Sequence, residues 1–279
     1  MNKLLLHHKS SESYGYLSGL FKAREGLFLN AGDGLMMRQT QNMEDFLAFL
    51  SSKRYHRAVS LAGDPKAFEN GLWEVYFDEL KMAMKHMDEP FLTTYLTHFH
   101  SIIFSQEEIA YDEMAEKHFD QRLQDWVSLS ASGSDFTKKL SAYAIDRFNI
   151  TEAFRSQIHQ SEEYPFYAGG HFQQEELNLL LKSHFQEIPK ELLFTHWHKF
   201  FEKEKVYKKI NFDLILRFEY FWFDLLKKLL EDPLMHPYGL SYILAYFLFF
   251  MLEIESIKRH YLCLKYDLPS YWMKESSVS

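Results

Sequence analysis

The sequence predicts an all-α protein, and three observations carry that expectation. Large apolar side chains are plentiful: 47% of the 279 residues are hydrophobic, and 26 Phe, 17 Tyr and 5 Trp make 17% aromatic. Chain breakers are scarce, at 11 Gly and 7 Pro, roughly half of the ~12% that average usage would give. Apolar residues also recur at helical spacing through most of the chain. An all-β chain needs far more turn residues. A charged content of 25% is ordinary for a folded domain, so disorder and collagen-like structure are excluded. The length admits one large domain or two ordinary ones and suffices to bury a sizeable core.

Taken in order, 42–50 places Met43, Phe46, Leu47 and Leu50 on one face, with Glu44 and Asp45 near its start, where the helix dipole favours acids. Residues 71–85 and 90–104 read as two helices parted near Asp88 and Pro90. A long amphipathic stretch over 107–129 carries Ile109, Met114, Phe119, Leu123 and Trp126. The run 128–135 (SLSASGSD) is the clearest break, and Asp135 is expected to cap a helix from Phe136 to about Gln160. A second loop, 161–170 (SEEYPFYAGG), combines Pro with Gly-Gly. Helices follow over 173–186, 189–207, 209–231 and 240–263. The third of these sets Ile210, Leu214, Phe218, Phe221, Leu225 and Leu229 on a core face, with Asp213–Arg217 and Asp224–Lys228 as i, i+4 pairs on the wet side. No segment reads as a strand.

The formal net charge is −8, so the chain lacks the basic footprint that nucleic-acid binding or docking on anionic lipid requires. A single Cys, Cys263, excludes an internal disulfide framework and any four-Cys metal site, and favours a reducing compartment. It is expected to be an inert buried thiol. Near the start, Leu4 to Leu6 is followed at once by His7, His8 and Lys9. That is too short for a signal-peptide core, which leads us to expect a cytosolic protein. The apolar run 240–252 (LSYILAYFLFFML) raises the question of a membrane helix. Pro233, His236, Pro237 and Gly239 shorten it and Glu253 and Glu255 close it, so a buried core helix is expected.

Motifs for catalysis are absent from the sequence. There is no phosphate loop, no Gly-x-Ser-x-Gly, no His-Glu-x-x-His, no Glu with a His three residues on, and no Asp-Asp-x-x-Asp cluster. The pairs His98/His100 and His196/His198 are two apart, which on a helix turns the rings about 200° from each other, so neither pair shares a metal. No catalytic, cofactor-binding or metal residue is assigned, and no cofactor is expected.

Polar residues inside apolar helices are more informative. Asp146 and Asn149 lie on one helical face in 143–155 (YAIDRFNITEAFR), and Glu253 and Ser256 repeat that spacing in 252–262 (LEIESIKRHYL). Each pair is followed by an Ile, giving an acid-x-x-polar-Ile core twice, 107 residues apart. Repeated helical units are one reading; two solvated helix faces are the other.

In this setting the chain resembles the C-subunit family of the V/A-type rotary ATPases, whose eukaryotic counterpart is the d-type subunit. Tyr16, Leu17, Arg24, Gly26 and Leu27 are similar to that family's opening tyrosine, its helical arginine and the segment after it. Phe46, Leu47, Leu50, Ser51 and Tyr55 resemble its next helix. Asp146, Asn149 and Phe154 match an Asp-x-x-Asn helix, followed at the right distance by Phe166, Gly169, Gly170 and Phe172, which resemble a Gly-Gly-x-Phe turn. Pro237, Gly239, Leu244, Ala245, Tyr246, Glu253, Ile257, Arg259, Leu268 and Pro269 look like the closing helix pair. The ordered set touches nearly the whole chain. The stretch 95–104 has no acid where the family's first repeat carries an acidic-x-x-Asn helix, which marks a divergent member.

The resemblance implies an all-α funnel of three similar helical units around a pseudo-threefold axis, with approximate repeats 1–104, 105–185 and 186–279. It implies a protein without an active site, peripheral on the cytoplasmic side of the membrane. Its partners would be the central shaft of the soluble ATPase sector and the membrane proteolipid ring, with no nucleic acid and no small-molecule substrate. Structural or cavity roles fall on Tyr16, Arg24, Asp146, Asn149, Gly169, Gly170, Glu253 and Arg259. The rival expectation is a helical enzyme or carrier with an aromatic-lined pocket for an apolar ligand. A third is a small membrane-anchored protein using 240–252.

Overall fold

The computed structural model describes residues 14–86, 90–104, 113–161, 163–205 and 210–268. Among these no residue is in a strand, in keeping with the all-α expectation. The readings at Leu4 to Leu6, Asp88, Ile109 and Pro269 lie outside the described residues. The chain forms two compact units, one from Met1–Leu96 with Leu230–Ser279 and the other from Thr97–Leu229.

In the first unit, α1 (14–24) runs into a 3-10 turn, Glu25–Leu27. Asn30 then opens α2 (Ala31–Gln39) with a capping box: its side chain accepts the Asp33 amide while Asp33 accepts the Asn30 amide. Asn42 caps α3 (Met43–Ser51) with its side-chain oxygen, which accepts the Asp45 amide at 2.8 Å. After a short α4 (His56–Val59), Asp64 caps α5 (Pro65–Met84), with Pro65 at its first position, where a missing N–H costs nothing. This helix begins six residues ahead of the expected start at Gly71, because the Asp64-Pro65 signal sits in front of an apolar pattern that only becomes regular later. Gly71 instead serves packing: a Cβ there would lie 2.8 Å from the Ala58 Cα, so only glycine lets α4 and α5 approach so closely.

The core of this unit is α12 (Gly239–Lys265), entered through Gly239 at φ +83, a left-handed value that favours glycine. The helix is long and apolar enough to cross a membrane by length and composition, yet 83% of that apolar stretch is buried within the fold. It is buried on all faces from Tyr242 to Leu248 and again from Phe250 to Ile257, as a core helix is. Phe68 stacks on Tyr261 at 4.1 Å and Phe21 on Tyr246 at 4.5 Å, tying α5 and α1 to it.

The second unit is organised around α8 (Asp135–His159), with α7 (Glu113–Ala131), α9 (Gln174–Lys182), α10 (Trp197–Glu204) and most of α11 (Phe212–Met235). The remaining helix, α6 (Pro90–Ile103), begins in the first unit and ends in the second. The helix expected over 173–186 ends early, at Lys182, and three other boundaries differ from expectation for local reasons. The α8 cap is Ser134 rather than Asp135; Ser134 has the extended backbone a cap requires and accepts the Thr137 amide, which leaves Asp135 in the first turn. The predicted helix over 189–207 divides into a 3-10 turn, Lys190–Phe194, and α10, because Thr195 is extended and its hydroxyl bonds back to the Leu192 carbonyl at 2.9 Å. Finally, α11 passes through Pro233 instead of stopping at Glu231; the proline falls in the last turn, where the lost N–H matters to one bond only.

His260 on α12 has a defined tautomer. Thr40 Oγ1 already donates to the Met37 carbonyl at 2.6 Å, so the imidazole Nε2 carries the proton that bridges to Thr40 at 2.9 Å. The Nδ1 acceptor is buried without a partner, beside Phe46 at 4.9 Å. Burial pushes this histidine down from 6.5 to about 4. Between those values the unfolded imidazole takes up a proton that the folded one refuses, so acid removes stability; well above pH 6.5 the group is neutral in both states and contributes no slope. The full effect is roughly 3 kcal/mol. Urea denaturation of wild type and His260→Gln at pH 7 and pH 4.5 should therefore show the wild type losing more stability than the variant on acidification. Equal losses would reject this role.

Candidate functional site

Among the carboxylates that the described residues bury are Glu79 on α5, Asp146 on α8 and Glu253 on α12, each set among aromatic side chains. Each is held by donors from distant parts of its own unit, and together these clusters collect most of the polar residues singled out above.

In the first unit the hub is Arg54, in the turn between α3 and α4. Its guanidinium bridges two acids, donating from Nη1 to Glu79 at 3.2 Å and from Nη2 to Glu253 at 3.1 Å. The cation lies over the Phe250 ring at 3.7 Å, with Phe28 at 4.6 Å. Glu253 also accepts the Leu29 amide at 2.6 Å and the Tyr55 hydroxyl. Glu79 accepts Arg24 Nη2 at 3.0 Å and the Tyr246 hydroxyl at 2.5 Å. A neighbouring bond runs from the Tyr242 hydroxyl to Glu25 at 2.7 Å.

Burial pushes the Glu253 carboxyl up, and the Arg54 charge with the Tyr55 and Leu29 donors pulls it back. Burial together with the neighbouring glutamate also holds the Tyr55 and Tyr246 phenols well above their ordinary range. They therefore stay protonated and act as donors.

In the second unit Asp146 is enclosed in the same manner. One oxygen accepts the backbone amides of His171 at 2.8 Å and Phe172 at 3.3 Å. The other accepts His171 Nδ1 at 2.6 Å and Trp197 Nε1 at 2.7 Å. Burial raises this carboxyl and the His171 and Trp197 bonds lower it again. One turn on, Asn149 pairs with both backbone groups of Tyr167, accepting its N–H and donating to its carbonyl, each at 2.8 Å. The loop 163–173 is thus tied to α8 by two side chains.

Its glycines follow from that geometry. Gly169 has φ +107, and a Cβ on Gly170 would stand 2.1 Å from an Asp146 oxygen. Arg147 faces away from this loop and binds Glu219 on α11 at 2.8 Å, where Thr151 adds a bond at 3.3 Å.

The structure thus unites Asp146, Asn149, Gly169 and Gly170 at one place, and Arg24 and Glu253 at another through Arg54. The reading of Asp146/Asn149 and Glu253/Ser256 as solvated faces is overturned, because all four are buried. The parallel between the two segments holds for the acids only. Asn149 reaches a loop, whereas the Ser256 hydroxyl folds onto its own helix at the Leu252 carbonyl, 2.9 Å away.

Tyr16 stands apart, half-exposed against His86 at 4.8 Å. Arg259 is partly buried on α12 and acts on Cys263, opposing the upward push that burial gives that thiol. His196 lies against Tyr143, whereas His198 bonds Glu202 at 3.3 Å, so that pair diverges as its spacing predicts.

Sequence reasoning missed Glu79, Arg54, His171 and Trp197. Glu79 had a signal: Leu72, Tyr76, Glu79 and Ala83 form one buried stripe, and an acid within such a stripe needs partners. His171 and Trp197 had none, since nothing local marks a ring whose partner lies 25 or 51 residues away.

Every carboxylate in these clusters accepts hydrogen bonds from several donors. The arrangement holds distant elements of each unit together. Fold and clusters define an all-helical protein whose buried polar residues serve internal support. Residues 106–274 match the family described as ATP synthase (C/AC39) subunit, and the chain belongs to that family of V/A-type ATPase subunits. No curated protein matches the chain closely enough to be named as a relative.

Asp146→Ala strands four donors in the core and should cost about 3–5 kcal/mol in chemical denaturation, with faster amide exchange at His171 and Phe172. Gly170→Ala should cost about 1–3 kcal/mol through overpacking against the same carboxylate. An Asp146→Ala loss no larger than that of an exposed substitution such as Asp135→Ala would refute the tether.

Proposed function

We propose that this chain is the central-stalk coupling component of a V/A-type proton- or sodium-translocating ATPase. In this role it is a non-catalytic socket between the central shaft of the soluble sector and the proteolipid ring, transmitting torque on the cytoplasmic face of the membrane without crossing it. Membership of the ATP synthase (C/AC39) subunit family over residues 106–274 is the observation that carries this reading. The hydrogen-bonded carboxylate clusters support it, because a part under load benefits from elements tied by buried, geometrically specific bonds rather than by apolar contact alone.

On the same reading the chain comprises three related helical units, approximately 1–104, 105–185 and 186–279, arranged as a funnel about a pseudo-threefold axis. Asp146 and Glu253 would be corresponding acids of the second and third units. Glu79 would take that part in the first, where 95–104 offers none.

Reconstitution of the rotary complex with and without this chain tests the proposal. Omission should abolish ATP-driven ion transport while hydrolysis by the soluble sector continues, and the isolated chain should show no turnover. Ion transport that persists undiminished without the chain would overturn it.

A further inference from the structure

Beside the Asp146 cluster, the second unit carries a surface that plays no part in it, built where α8, α10 and α11 meet. Lys139 lies one turn before Tyr143 on α8. The Tyr143 ring stands 5.9 Å from that of His196, and its hydroxyl accepts the His196 amide at 3.2 Å. Lys199, on α10, lies one turn beyond His196, its amide bonded to the His196 carbonyl at 3.2 Å. Lys228 stands two turns beyond Phe221 on α11, and the Phe221 ring packs on Trp197 at 6.0 Å and on Phe200 at 5.3 Å. Three helices thus bring three ammonium groups around one imidazole. Burial together with Lys199, Lys139 and Lys228 lowers the proton affinity of His196.

All three lysines are exposed. Nearby cations are paired, Lys138 with Asp135 at 3.7 Å and Lys205 with Glu202 at 2.7 Å. Among the described residues Lys139, Lys199 and Lys228 form no salt bridge. Asp224, half-buried one turn before Lys228, offsets part of their charge. The surface therefore keeps a local positive excess on a chain of net charge −8. A second observation is independent of charge. Phe194, two residues before His196, is 94% exposed, and Leu193 beside it is 48% exposed. Their turn is held from within, because Leu192 is buried and its carbonyl accepts the Thr195 hydroxyl at 2.9 Å. Two large apolar side chains held in water beside unpaired charge have the composition of a docking anchor.

We propose that this surface docks an acidic peptide segment of a partner protein, its carboxylates against Lys139, Lys199 and Lys228 and an aliphatic side chain against Leu193 and Phe194. Anionic lipid fits less well. A bilayer is a broad plane that meets the negative charge of the whole chain, whereas a segment meets only the charge within about 8–10 Å of it. The assignment does not rest on the coupling role.

Fluorescence anisotropy of the full-length chain with a labelled, glutamate-rich peptide carrying leucine tests the surface. The peptide should bind at least about tenfold more tightly than the same peptide with lysine in place of glutamate, and its affinity should fall as salt is raised. Phe194→Ala should weaken binding about tenfold. Joint reversal through Lys139→Glu, Lys199→Glu and Lys228→Glu should abolish it, while Met235→Ala, at another exposed apolar position, should leave it unchanged. Melting curves check that the variants fold, as exposed positions lead us to expect. Absence of peptide binding, no preference for glutamate over lysine, or wild-type affinity in the Phe194 and triple variants would overturn the proposal. So would tighter binding to vesicles of phosphatidylserine and phosphatidylcholine that is lost in the same variants, which would assign the surface to lipid.

Discussion

The first unit depends on one cation. Arg54 sits between Glu79 and Glu253, and through them it connects α1, the turn before α2, α5 and α12. Two buried carboxylates in one apolar region repel each other and lose their hydration. The guanidinium answers both problems because its planar fork donates in two directions while its face lies on Phe250. A lysine could not do this, since a single ammonium has no flat face to stack and no fixed fork. Removing one charge of such a set strands the others, at a cost of about 3–5 kcal/mol.

This constraint accounts for part of the aromatic content. The phenols of Tyr55 and Tyr246 and the indole of Trp197 supply donors to the buried acids while their rings fill core volume. Other rings pack around them. Tyr246 contacts Phe21, Phe28 and Phe247, and Trp197 contacts Tyr143, Phe218, Phe221 and Trp222. A core of aliphatic residues would bury as much surface but could not solvate a carboxylate. The second unit solves the same problem around Asp146 with His171 in place of arginine, and adds two backbone amides.

Much of the fold was legible because helix formation is written locally. The stripes in 42–50 and 209–231 and the breaks at 128–135 and 161–170 all correspond to observed elements or their edges. Boundaries were legible only where the cap was unambiguous. Where two adjacent residues could each cap, as Ser134 and Asp135, sequence reasoning chose the acid and the backbone chose the serine. The division of 189–207 was hidden because its apolar residues keep helical spacing across a break at Thr195.

By itself the sequence determined that this protein is helical, that 240–252 lies in a core, and that Asp146, Asn149, Gly169, Gly170 and Glu253 stand in an unusual pattern. Periodicity, breakers and an acid inside an apolar stripe are all properties of neighbouring residues, so a linear reading reaches them. Only the tertiary structure decided what the acids do. The partners of Glu253 at Leu29 and Arg54 lie 224 and 199 residues away, and no local pattern records which distant donor a buried carboxylate will meet. The same pattern fits a solvated face or a buried tether, and burial alone separates them, because a carboxylate removed from water must find donors wherever the fold brings them.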